Sequence, residues 1–532
     1  MPINAQHITY HTPNRGLLFN DISFTLQKGE KAAIVGHNGA GKTTLFKIIT
    51  GQEKSYTGNL LVTGPLHYVP QHYGHFNQLT VAEALGIAPL LAALQAVEKG
   101  ATDQHYYDLL EHQWDIAARC EEAFSRWGIT GIALNQPLQQ LSGGMKTRLF
   151  LSGIDIFEPA IVLLDEPTNH LDAKARARLY EWMSTTNCSL LLSSHDRQLL
   201  RLCEPIWELQ ADGIRVYGGN YDLYAAQKDT ATAASEHKLA YHEKALKEAK
   251  LKQQQALERK QHADAQARKN SRQGGQAKIL LGGRKNSAES STGKLKQVHS
   301  AKVSELRTNL QEAAVMTQVQ RIMKGYFANP SLPRGKVLMQ ATDINFAYEN
   351  GHLLWPQPLT FTIRSGNRLA VSGNNGSGKT TLFNLLQGKM PPSEGQLQMA
   401  PCTTLLLDQD YYLIDRSKTV LEQALAFNAA ALEPAMVHTL LANFLFMPES
   451  WDKPCAVLSG GEMLRLALCC MVLHNKMPDI IFLDEPVNNL DLNNIQMLAN
   501  IFAEYRGTLI VISHDTGFLQ EAGITEELPL QG

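Results

Sequence analysis

Two glycine-rich segments of this 532-residue chain have the spacing of phosphate-binding (Walker A) loops. The first is GHNGAGKT at 36–43, and the second is GNNGSGKT at 373–380. Glycines let consecutive backbone N–H groups point at a phosphate, the lysine brings charge to the β- and γ-phosphate oxygens, and the threonine hydroxyl can ligate Mg²⁺. Two such loops predict two ATP sites. The residues that we expect to bind the nucleotides are Gly36, Asn38, Gly39, Gly41, Lys42, Thr43, Thr44, Gly373, Asn375, Gly376, Gly378, Lys379, Thr380 and Thr381.

An acidic pair of residues follows a short apolar segment in each half of the chain. These pairs are Asp165-Glu166 and Asp484-Glu485. The aspartate of such a pair can hold Mg²⁺ directly or through water, and the glutamate can polarise an attacking water. We therefore expect catalytic carboxylates at Glu166 and Glu485. The expected metal ligands from these motifs are Asp165, Asp484, Thr43 and Thr380.

Short apolar segments precede both kinds of motif. Residues 32–35 and 369–371 lead into the glycine loops, and residues 160–164 and 480–483 lead into the acidic pairs. Helices are expected to begin at the loop lysines, which gives the order of strand, glycine loop and helix that a phosphate loop requires. Apolar runs of this length, alternating with helices, favour a parallel sheet covered on both faces. The sequence therefore predicts an α/β fold in each half.

A third pair of motifs, LSGGM at 141–145 and LSGGE at 458–462, resembles the signature motif of ABC ATPases. Each lies about 20 residues before its acidic strand, as in that family. A serine hydroxyl and glycine amides at a helix N-terminus form an anion site. The resemblance implies that each signature motif completes the site of the opposite half. Ser459 and Gly461 would then close the pocket built on Lys42, and Ser142 and Gly144 the pocket built on Lys379.

Further residues resemble the remaining ABC motifs. Gln71 and Gln409 match the Q-loop and are expected near both nucleotide and metal, while His195 and His514 match the switch histidine that contacts the γ-phosphate. The D-loops are 169–172 and 488–491, and Val487 stands where the family usually has threonine. The aromatic residue that stacks on adenine is assigned to Tyr348 in the second half. In the first half the position is left open between Tyr10 and His11.

The segment between the two halves differs in composition. Residues 228–310 have a net charge of +10, and the rest of the chain has −12. A breaker-free stretch at 233–269, a glycine- and serine-containing tip at 271–293 and a second helical stretch at 294–323 predict a helical hairpin; a disordered, solvated linker is the alternative. Its basic charge favours RNA phosphates as partners. The candidate RNA contacts are Arg268, Lys269, Arg272, Lys278, Arg284 and Lys285.

Two tandem modules without a membrane span, joined by a basic hairpin, look like the ABC-F family. The runs EPTNHLD at 166–172 and GGNY at 218–221 are typical of that family. The predicted fold is therefore α/β, with two tandem ABC-type P-loop nucleotide-binding domains joined by an α-helical hairpin linker. The expected domains are 1–218 and 331–532, with the linker at 219–330. No signal peptide or apolar run of transmembrane length is seen, so a cytoplasmic protein is expected.

The ABC-F resemblance implies ATP hydrolysis with Mg²⁺ and action on the ribosome. Ribosomal RNA and the P-site tRNA would be the partners, and the two ATPase domains would pair within one monomer. A translation factor, a rescue factor for stalled ribosomes and a protein that protects ribosomes from antibiotics all fit this interpretation. The alternative is a fused ATPase subunit of an ABC transporter that acts on a separate membrane partner. A DNA-repair ATPase is a third option, but the zinc module or very long coiled coil of such proteins is not seen in the sequence.

Overall fold

The structure is a computed structural model, which describes most of both halves of the chain. The described residues are 2–13, 16–111, 113–228, 230, 322–323, 326, 332–348, 351–408, 410–488 and 490–531. Two compact units are distinguished by their internal contacts. One contains Met1–Tyr224 together with Ile322–Gly532, and the other is Ala225–Arg321. Both ATPase modules thus belong to one compact unit. The predicted hairpin lies almost entirely outside the described residues.

Seventeen strands are found in the described residues, nine in the first module and eight in the second. The strands of the first module are β1 (Ile3–His11), β2 (Leu17–Leu26), β3 (Lys31–Val35), β4 (Tyr56–Val62), β5 (Leu66–Val69), β6 (Ile161–Asp165), β7 (Ser189–Ser193), β8 (Ile206–Gln210) and β9 (Gly213–Tyr217). Those of the second module are β10 (Val337–Asn345), β11 (Leu359–Arg364), β12 (Arg368–Ser372), β13 (Glu394–Met399), β14 (Thr404–Leu407), β15 (Ile480–Asp484), β16 (Thr508–Ile512) and β17 (Glu526–Pro529).

Fourteen α-helices, eight in the first module and six in the second, accompany these strands in the described residues. The first eight are α1 (Lys42–Ile49), α2 (Val81–Ala84), α3 (Ala88–Glu98), α4 (Gln104–Leu110), α5 (Ile116–Arg126), α6 (Gly143–Phe157), α7 (Ala173–Thr185) and α8 (Arg197–Arg201). The second module has α9 (Lys379–Leu386), α10 (Val420–Ala426), α11 (Pro434–Asn443), α12 (Gly460–His474), α13 (Leu492–Glu504) and α14 (Thr516–Glu521). Residues 221–228 are also helical and lead toward the linker.

Each module combines a mainly parallel sheet with a smaller antiparallel one. The strand order is β5-β6-β7-β3-β8-β9 in the first module and β14-β15-β16-β12-β17 in the second. The antiparallel sheets have the orders β2-β1-β4 and β11-β10-β13. Strands β6, β7 and β16 are buried along their whole length, because helices or the second sheet cover both faces. The predicted α/β fold of each half is confirmed. No helix in the described part of the chain has the length and apolar character needed to cross a membrane.

The parallel strands carry the predicted motifs to a single edge of each sheet. In the first module β3 leads into the glycine loop, β6 ends at Asp165, and β7 ends two residues before His195. Strands β6, β7 and β3 are neighbours and parallel. Because carboxyl ends of parallel strands meet at the same edge, residues far apart in sequence converge there. Strands β12, β15 and β16 do the same in the second module.

The outer strands β1 and β10 share an irregularity that fixes how the two repeats align. His7 and Asp343 have the left-handed φ values of 56° and 50°, and the pairing register shifts at both. Gly58 and Gly395 pack against them so closely that a Cβ would lie 2.3 Å from the His7 carbonyl and 2.2 Å from that of Asp343. Only glycine fits such an approach. His7 and Asp343 are therefore equivalent positions of the two modules.

Candidate functional site

The first glycine loop holds its lysine against the loop backbone. Helix α1 begins at Lys42, after Gly41 in the left-handed conformation (φ 102°). The Lys42 amine donates to the carbonyl of Gly36 at 2.7 Å, and its Nζ lies 3.5 Å from His195 Nε2. Burial lowers the pKa of Lys42, while the carboxylates of Glu166, Asp491 and Asp165 act to raise it. The amine is thus buried at the floor of the loop, close to the carboxylates of both modules.

Three oxygen-bearing side chains meet beside this lysine. The Thr43 hydroxyl donates to Asp165 Oδ2 at 2.6 Å and lies 3.3 Å from Gln71 Oε1. Burial raises the pKa of Asp165. A cation would favour the ionised carboxylate here, and a hydroxyl, a carboxylate and an amide oxygen are the ligands that Mg²⁺ prefers. The donor set therefore fits Mg²⁺, with Thr43, Asp165 and Gln71 as its candidate protein ligands.

Glu166 and His195 form the predicted catalytic pair of the first site. Glu166 Oε1 lies 3.2 Å from His195 Nε2, and both side chains are buried. Burial raises the pKa of Glu166 to about 8 and lowers that of His195 to about 3. Glu166 has a left-handed φ of 50°, and its N–H donates to the carbonyl of Ser193 at 2.8 Å. The strand β7 thus holds the glutamate backbone in a conformation that L-residues seldom adopt.

The cavity of the first site is shared by the two modules. It has a volume of about 580 Å³ and extends from the first glycine loop to the second module. The second module contributes Gly460, Val487, Asn488, Leu490, Ile495 and Asp515 to its lining. An occupant of this cavity would therefore touch both modules at once.

Asp491 of the second D-loop links the two modules at the edge of this cavity. Its Oδ2 accepts from the Asn38 N–H at 3.4 Å and lies 3.6 Å from His37 Nδ1. Burial acts to raise the pKa of Asp491, but hydrogen bonds from His37 and from the N–H of Asn494 lower it to about 2. The carboxylate is therefore ionised at neutral pH and can hold the first glycine loop.

The second site has the same catalytic residues in a more open setting. The Lys379 amine donates to the carbonyl of Gly373 at 2.7 Å, and His514 Nε2 lies 3.5 Å from Glu485 Oε1. Glu485 repeats the left-handed φ, at 47°. Burial raises the pKa of Glu485 to about 7 and that of Asp484 to about 6. Burial also lowers the pKa of His514 to about 4, so this histidine is neutral at pH 7.

The cavity of the second site, about 650 Å³ in volume, is lined by second-module residues alone among the described part of the chain. Thr380 is exposed there, whereas Thr43 is partly buried. The first module still approaches the second glycine loop, because Asn375 Nδ2 donates to the carbonyl of His170 at 3.0 Å. Gln409, the predicted Q-loop residue of this site, lies outside the described residues. The two sites thus differ in how much of the opposite module encloses them.

Comparison with known proteins identifies the family. The model of the ABC transporter family matches residues 19–169 and 356–488. YdiF of Bacillus subtilis (strain 168) is 30% identical over 94% of this chain and 76% of its own. ABC transporter F family member 5 of Arabidopsis thaliana is 28% identical over 95% and 71%. This chain belongs to the ABC-F family. As an ABC-F protein it is an ATPase.

Two further similarities extend along nearly the whole ABC-F chain. The energy-dependent translational throttle protein EttA of Mycobacterium tuberculosis (strain CDC 1551 / Oshkosh) is 27% identical over 94% of this chain and 87% of its own. Among solved structures, the complex of archaeal ribosomal stalk protein aP1 with the archaeal ribosome recycling factor aABCE1 gives a TM-score of 0.59. That match has 17% identity and covers 99% of this chain and 87% of the other. It shows that both have the tandem-ABC fold.

The signature motifs of the ABC-F chain begin helices as expected. Ser142 and Ser459 are the N-caps of α6 and α12, and their hydroxyls accept from the N–H groups of Met145 and Glu462 at 3.3 and 3.4 Å. Of the second motif, Gly460 lines the first cavity, between the predicted Ser459 and Gly461. In the first motif a Cβ at Gly144 would lie 3.4 Å from Asn375 Nδ2. Each motif thus lies near the glycine loop of the opposite module.

The two cavities differ at the positions where the adenine base is expected. Tyr348 lines the second cavity, is 55% exposed, and lies with its hydroxyl 2.7 Å from that of Thr381. With His7 matched to Asp343, the equivalent of Tyr348 is Thr12, which lines the first cavity. Tyr10 is 7% exposed, and its hydroxyl donates to Glu53 at 3.2 Å. Neither Tyr10 nor His11 lines the first cavity, so the position left open from sequence is occupied by threonine.

Several residues of the sites were not predicted from sequence. Leu18 and Arg176 line the first cavity, and Leu354, Asp408 and Asp410 line the second. Alignment of the two repeats on Gly58 and Gly395 could have identified Thr12 as the equivalent of Tyr348. No sequence signal indicated Arg176. The six candidate RNA contacts of the hairpin, from Arg268 to Lys285, lie outside the described residues.

Proposed function

We propose that this ABC-F ATPase works as a nucleotide-gated clamp on the ribosome. ATP would occupy the two sites at the module interface and hold the modules together. Hydrolysis, with Glu166 and Glu485 as the carboxylates that polarise water, would let them separate. The functional outcome would be a conformational change in the ribosome–tRNA complex. The linker would transmit the movement of the modules to that complex. This proposal assigns a task to ATP hydrolysis, which is the established activity of the chain.

The observation that carries the proposal is the lining of the first cavity by both modules. One wall contains Lys42 and Glu166, and the opposite wall contains Gly460 and Asn488. A nucleotide that contacts both walls stabilises the closed arrangement by its binding free energy. Loss of the γ-phosphate removes part of that free energy. Hydrolysis therefore acts on the separation of the modules.

Each site residue is assigned the role that its motif implies. Lys42 and Lys379 would neutralise the β- and γ-phosphates, with the glycine-loop N–H groups around them. Mg²⁺, when bound beside Thr43 and Asp165 or beside Thr380 and Asp484, would supply additional charge neutralisation. The roles of the remaining predicted residues follow their motifs, with His195 and His514 at the γ-phosphate, Gln71 and Gln409 at the metal, Ser142, Gly144, Ser459 and Gly461 across the interface, and Tyr348 on the adenine.

The ribosome as partner rests on two observations. Residues 228–310 have a net charge of +10 on an otherwise acidic chain, which favours contacts to RNA phosphates that weaken with salt. The relative EttA is named as a translational throttle protein. We propose that the basic linker contacts ribosomal RNA and the P-site tRNA through Arg268, Lys269, Arg272, Lys278, Arg284 and Lys285. The protein would then act in the cytoplasm, where ribosomes are.

Ribosome co-sedimentation of the Glu166→Gln/Glu485→Gln double variant tests the clamp. Removing both carboxylates should trap the ATP-bound, closed state. We expect the variant to pellet with ribosomes in ATP and not in ADP. Deletion of 271–293 should abolish this pelleting while nucleotide binding stays intact. A matched control is Glu181→Gln, because Glu181 is exposed on α7 and lines neither ATP cavity.

The same experiment separates the clamp from the alternative of a fused transporter ATPase. Absence of pelleting in both nucleotides at low salt would overturn the ribosome proposal. Binding of the double variant to membranes in ATP would then favour the transporter subunit. Pelleting with ribosomes in the presence of an antibiotic, followed by release of that drug, would assign ribosome protection rather than a general translation role.

A further inference from the structure

A tyrosine hydroxyl lies behind the expected metal ligand of the first ATP site. Tyr68 is on β5, and its hydroxyl donates to Asp165 Oδ2 at 3.4 Å. Asp165 ends the neighbouring strand β6, and the Thr43 hydroxyl donates to the same oxygen at 2.6 Å. Thr43 and Asp165 line the first cavity, whereas Tyr68 does not and packs against the hydrophobic core. The tyrosine thus contacts the carboxylate from the side that an occupant of the cavity would not reach.

The register of the parallel sheet determines this contact. In the pairing of β5 with β6, Tyr68 lies opposite Leu163, which is two residues before Asp165. Alternate residues of a strand point to the same face, so Leu163, Asp165 and the paired Tyr68 share one face of the sheet. Phe46 of α1 packs edge-on against the Tyr68 ring, with 6.2 Å between the ring centroids. The ring is therefore held with its hydroxyl toward the carboxyl end of β6.

The second module has the same register but no tyrosine at this position. Leu406 of β14 lies opposite Phe482 of β15, which is two residues before Asp484. The aromatic ring is on the neighbouring strand here, and Phe383 of α9 packs edge-on against Phe482 with 5.2 Å between the ring centroids. The described residues show no side-chain hydrogen bond to the Asp484 carboxylate. Within the described part of the chain, the phenol contact therefore belongs to the first site alone.

We propose that Tyr68 is a positioning residue of the first ATP site, whose hydroxyl holds the Asp165 carboxylate in the orientation that Mg²⁺ needs. This inference rests on the proposed role of Asp165 as a metal ligand. Loss of a group that holds a metal-ligating side chain typically weakens metal binding by about 10- to 100-fold. The first site should therefore retain its ion at lower Mg²⁺ concentrations than it would without the phenol, and Leu406 gives the second site no such support.

The contacts of the two Asp165 carboxylate oxygens support this role. The hydroxyls of Thr43 and Tyr68 both meet Oδ2. Oδ1 is buried and makes no hydrogen bond of ordinary geometry in the described part of the chain, although the Ser193 hydroxyl lies close enough to act on the pKa of this carboxyl. A buried carboxylate oxygen without a donor is costly, and a divalent cation can satisfy it. One oxygen is thus held by hydroxyls, and the other remains open to an ion.

A neutral phenol suits this task for two reasons. The Thr43 hydroxyl is itself an expected Mg²⁺ ligand, so its oxygen would serve the ion as well as the carboxylate. The Tyr68 hydroxyl contacts the carboxylate alone of these two groups, and it is uncharged at pH 7. A cationic donor in its place would repel the metal ion, because like charges close together are unfavourable. The phenol orients the carboxylate without that repulsion.

The test measures how tightly the first site binds a divalent ion, with Mn²⁺ as the probe for Mg²⁺. In a Lys379→Ala background, which weakens the second site, the protein is saturated with a non-hydrolysable ATP analogue and titrated with Mn²⁺. Electron paramagnetic resonance detects the protein-bound ion. Tyr68→Phe should raise the Mn²⁺ concentration for half-saturation by about tenfold, while analogue binding in EDTA stays unchanged. Tyr217→Phe is the matched control, because it loses a phenol contact to Glu208 and lines neither ATP cavity.

A reciprocal variant keeps the proposal testable if Tyr68→Phe does not fold. In a Lys42→Ala background, Leu406→Tyr/Phe482→Leu gives the second module the ring pattern of the first and should lower its half-saturating Mn²⁺ concentration. Absence of that gain would then decide against the Tyr68 proposal. In the folded Tyr68→Phe variant, an unchanged half-saturating concentration would overturn it, as would equal losses of analogue binding with and without metal. If Asp165→Asn leaves Mn²⁺ binding unchanged, the assignment of Asp165 as a metal ligand is wrong instead.

Discussion

The first ATP cavity is lined by residues of both modules, whereas the described lining of the second belongs to the second module alone. Both sites have the same lysine contact to a glycine carbonyl, at 2.7 Å in each. The two sites differ in the environment of the loop threonine. The Thr43 hydroxyl donates a hydrogen bond to Asp165, whereas Thr380 is exposed. Motif repetition thus fixes the phosphate side of a site, but the partner surface decides how far the site is enclosed.

A second difference lies on the base side. Tyr348 offers an exposed aromatic ring in the second site, and Thr12 stands at its equivalent in the first. An aromatic face provides stacking that a threonine cannot. If Tyr348 stacks on adenine as proposed, the first site would depend on phosphate contacts and on the opposite module, and the second would depend more on the base. Binding and hydrolysis should divide unequally between the two.

The largest effect is expected from removing one catalytic carboxylate at a time. Glu166→Gln should lower hydrolysis at the first site by about 10²–10⁴-fold, and Glu485→Gln should do the same at the second, since each would lose its general base. Single-turnover kinetics with each variant separates the sites. The Glu181→Gln control should keep both kinetic phases of hydrolysis, one from each site. Loss of both phases in either single variant would show that the sites do not turn over independently.

Loss of the aromatic face should affect only the second site. In a Lys42→Ala background, Tyr348→Ala should weaken ATP binding by roughly 5- to 150-fold, because base stacking contributes about 1–3 kcal/mol. Titration with a fluorescent ATP analogue measures this. Tyr348→Phe keeps the ring and loses only the hydroxyl contact to Thr381, so it should bind nearly as well as the parent. Equal losses of ATP affinity from Tyr348→Ala and from Thr12→Ala would contradict the expected difference between the two sites.

The pH dependence of each site should reflect the burial of its catalytic glutamate. The active glutamate is the ionised form, so turnover rises as pH passes its pKa. Burial raises the pKa of both Glu166 and Glu485. The acid limb of the first site, measured in Glu485→Gln, and that of the second, measured in Glu166→Gln, should therefore both lie above the ordinary glutamate pKa of about 4.3. An acid limb at that ordinary value in either variant would contradict the assignment of its carboxylate.

The smallest effect is expected at the rim of the interface. Arg197 Nη1 lies 2.5 Å from Glu521 Oε1 of the other module, while the position equivalent to Arg197 is Thr516. A partly exposed pair of this kind contributes about 0.5–1 kcal/mol. Arg197→Ala should raise the ATP concentration that is needed for half-maximal module closure by about two- to fivefold. Energy transfer between labelled modules measures this closure. A double-mutant cycle with Glu521→Ala checks that the loss belongs to the pair.

The phosphate side of both sites could be predicted from sequence, because local spacing determines it. The loops at Lys42 and Lys379 follow buried strands, and α1 and α9 begin at these lysines as expected. The base side could not be predicted as well. Strand β1 has three register shifts against β2, two beside Ile8 and one between Tyr10 and His11. Thr12 lines the first cavity, whereas the candidates Tyr10 and His11 do not. Irregular strands leave little trace in a hydrophobic pattern.

The interface residues could not be derived for a different reason. Arg176 follows the D-loop on α7, and its burial beside Asp196 brings together parts of the chain that lie apart in sequence. The contact between Asn375 and His170 depends on the packing of the two modules. Side chains that act across an interface have no fixed sequence distance from the site that they serve.

The left-handed backbone of Glu166 and Glu485, with φ of 50° and 47°, has a consequence for the history of duplicated sites. Such a conformation costs a non-glycine residue roughly 1 kcal/mol or more. A change to glycine would relieve this cost and would also remove the carboxylate. At either position, a single substitution by glycine would therefore abolish hydrolysis and relieve the backbone strain at the same time. Each duplicated site thus retains its carboxylate at a cost in folding stability, as strained active-site residues commonly do.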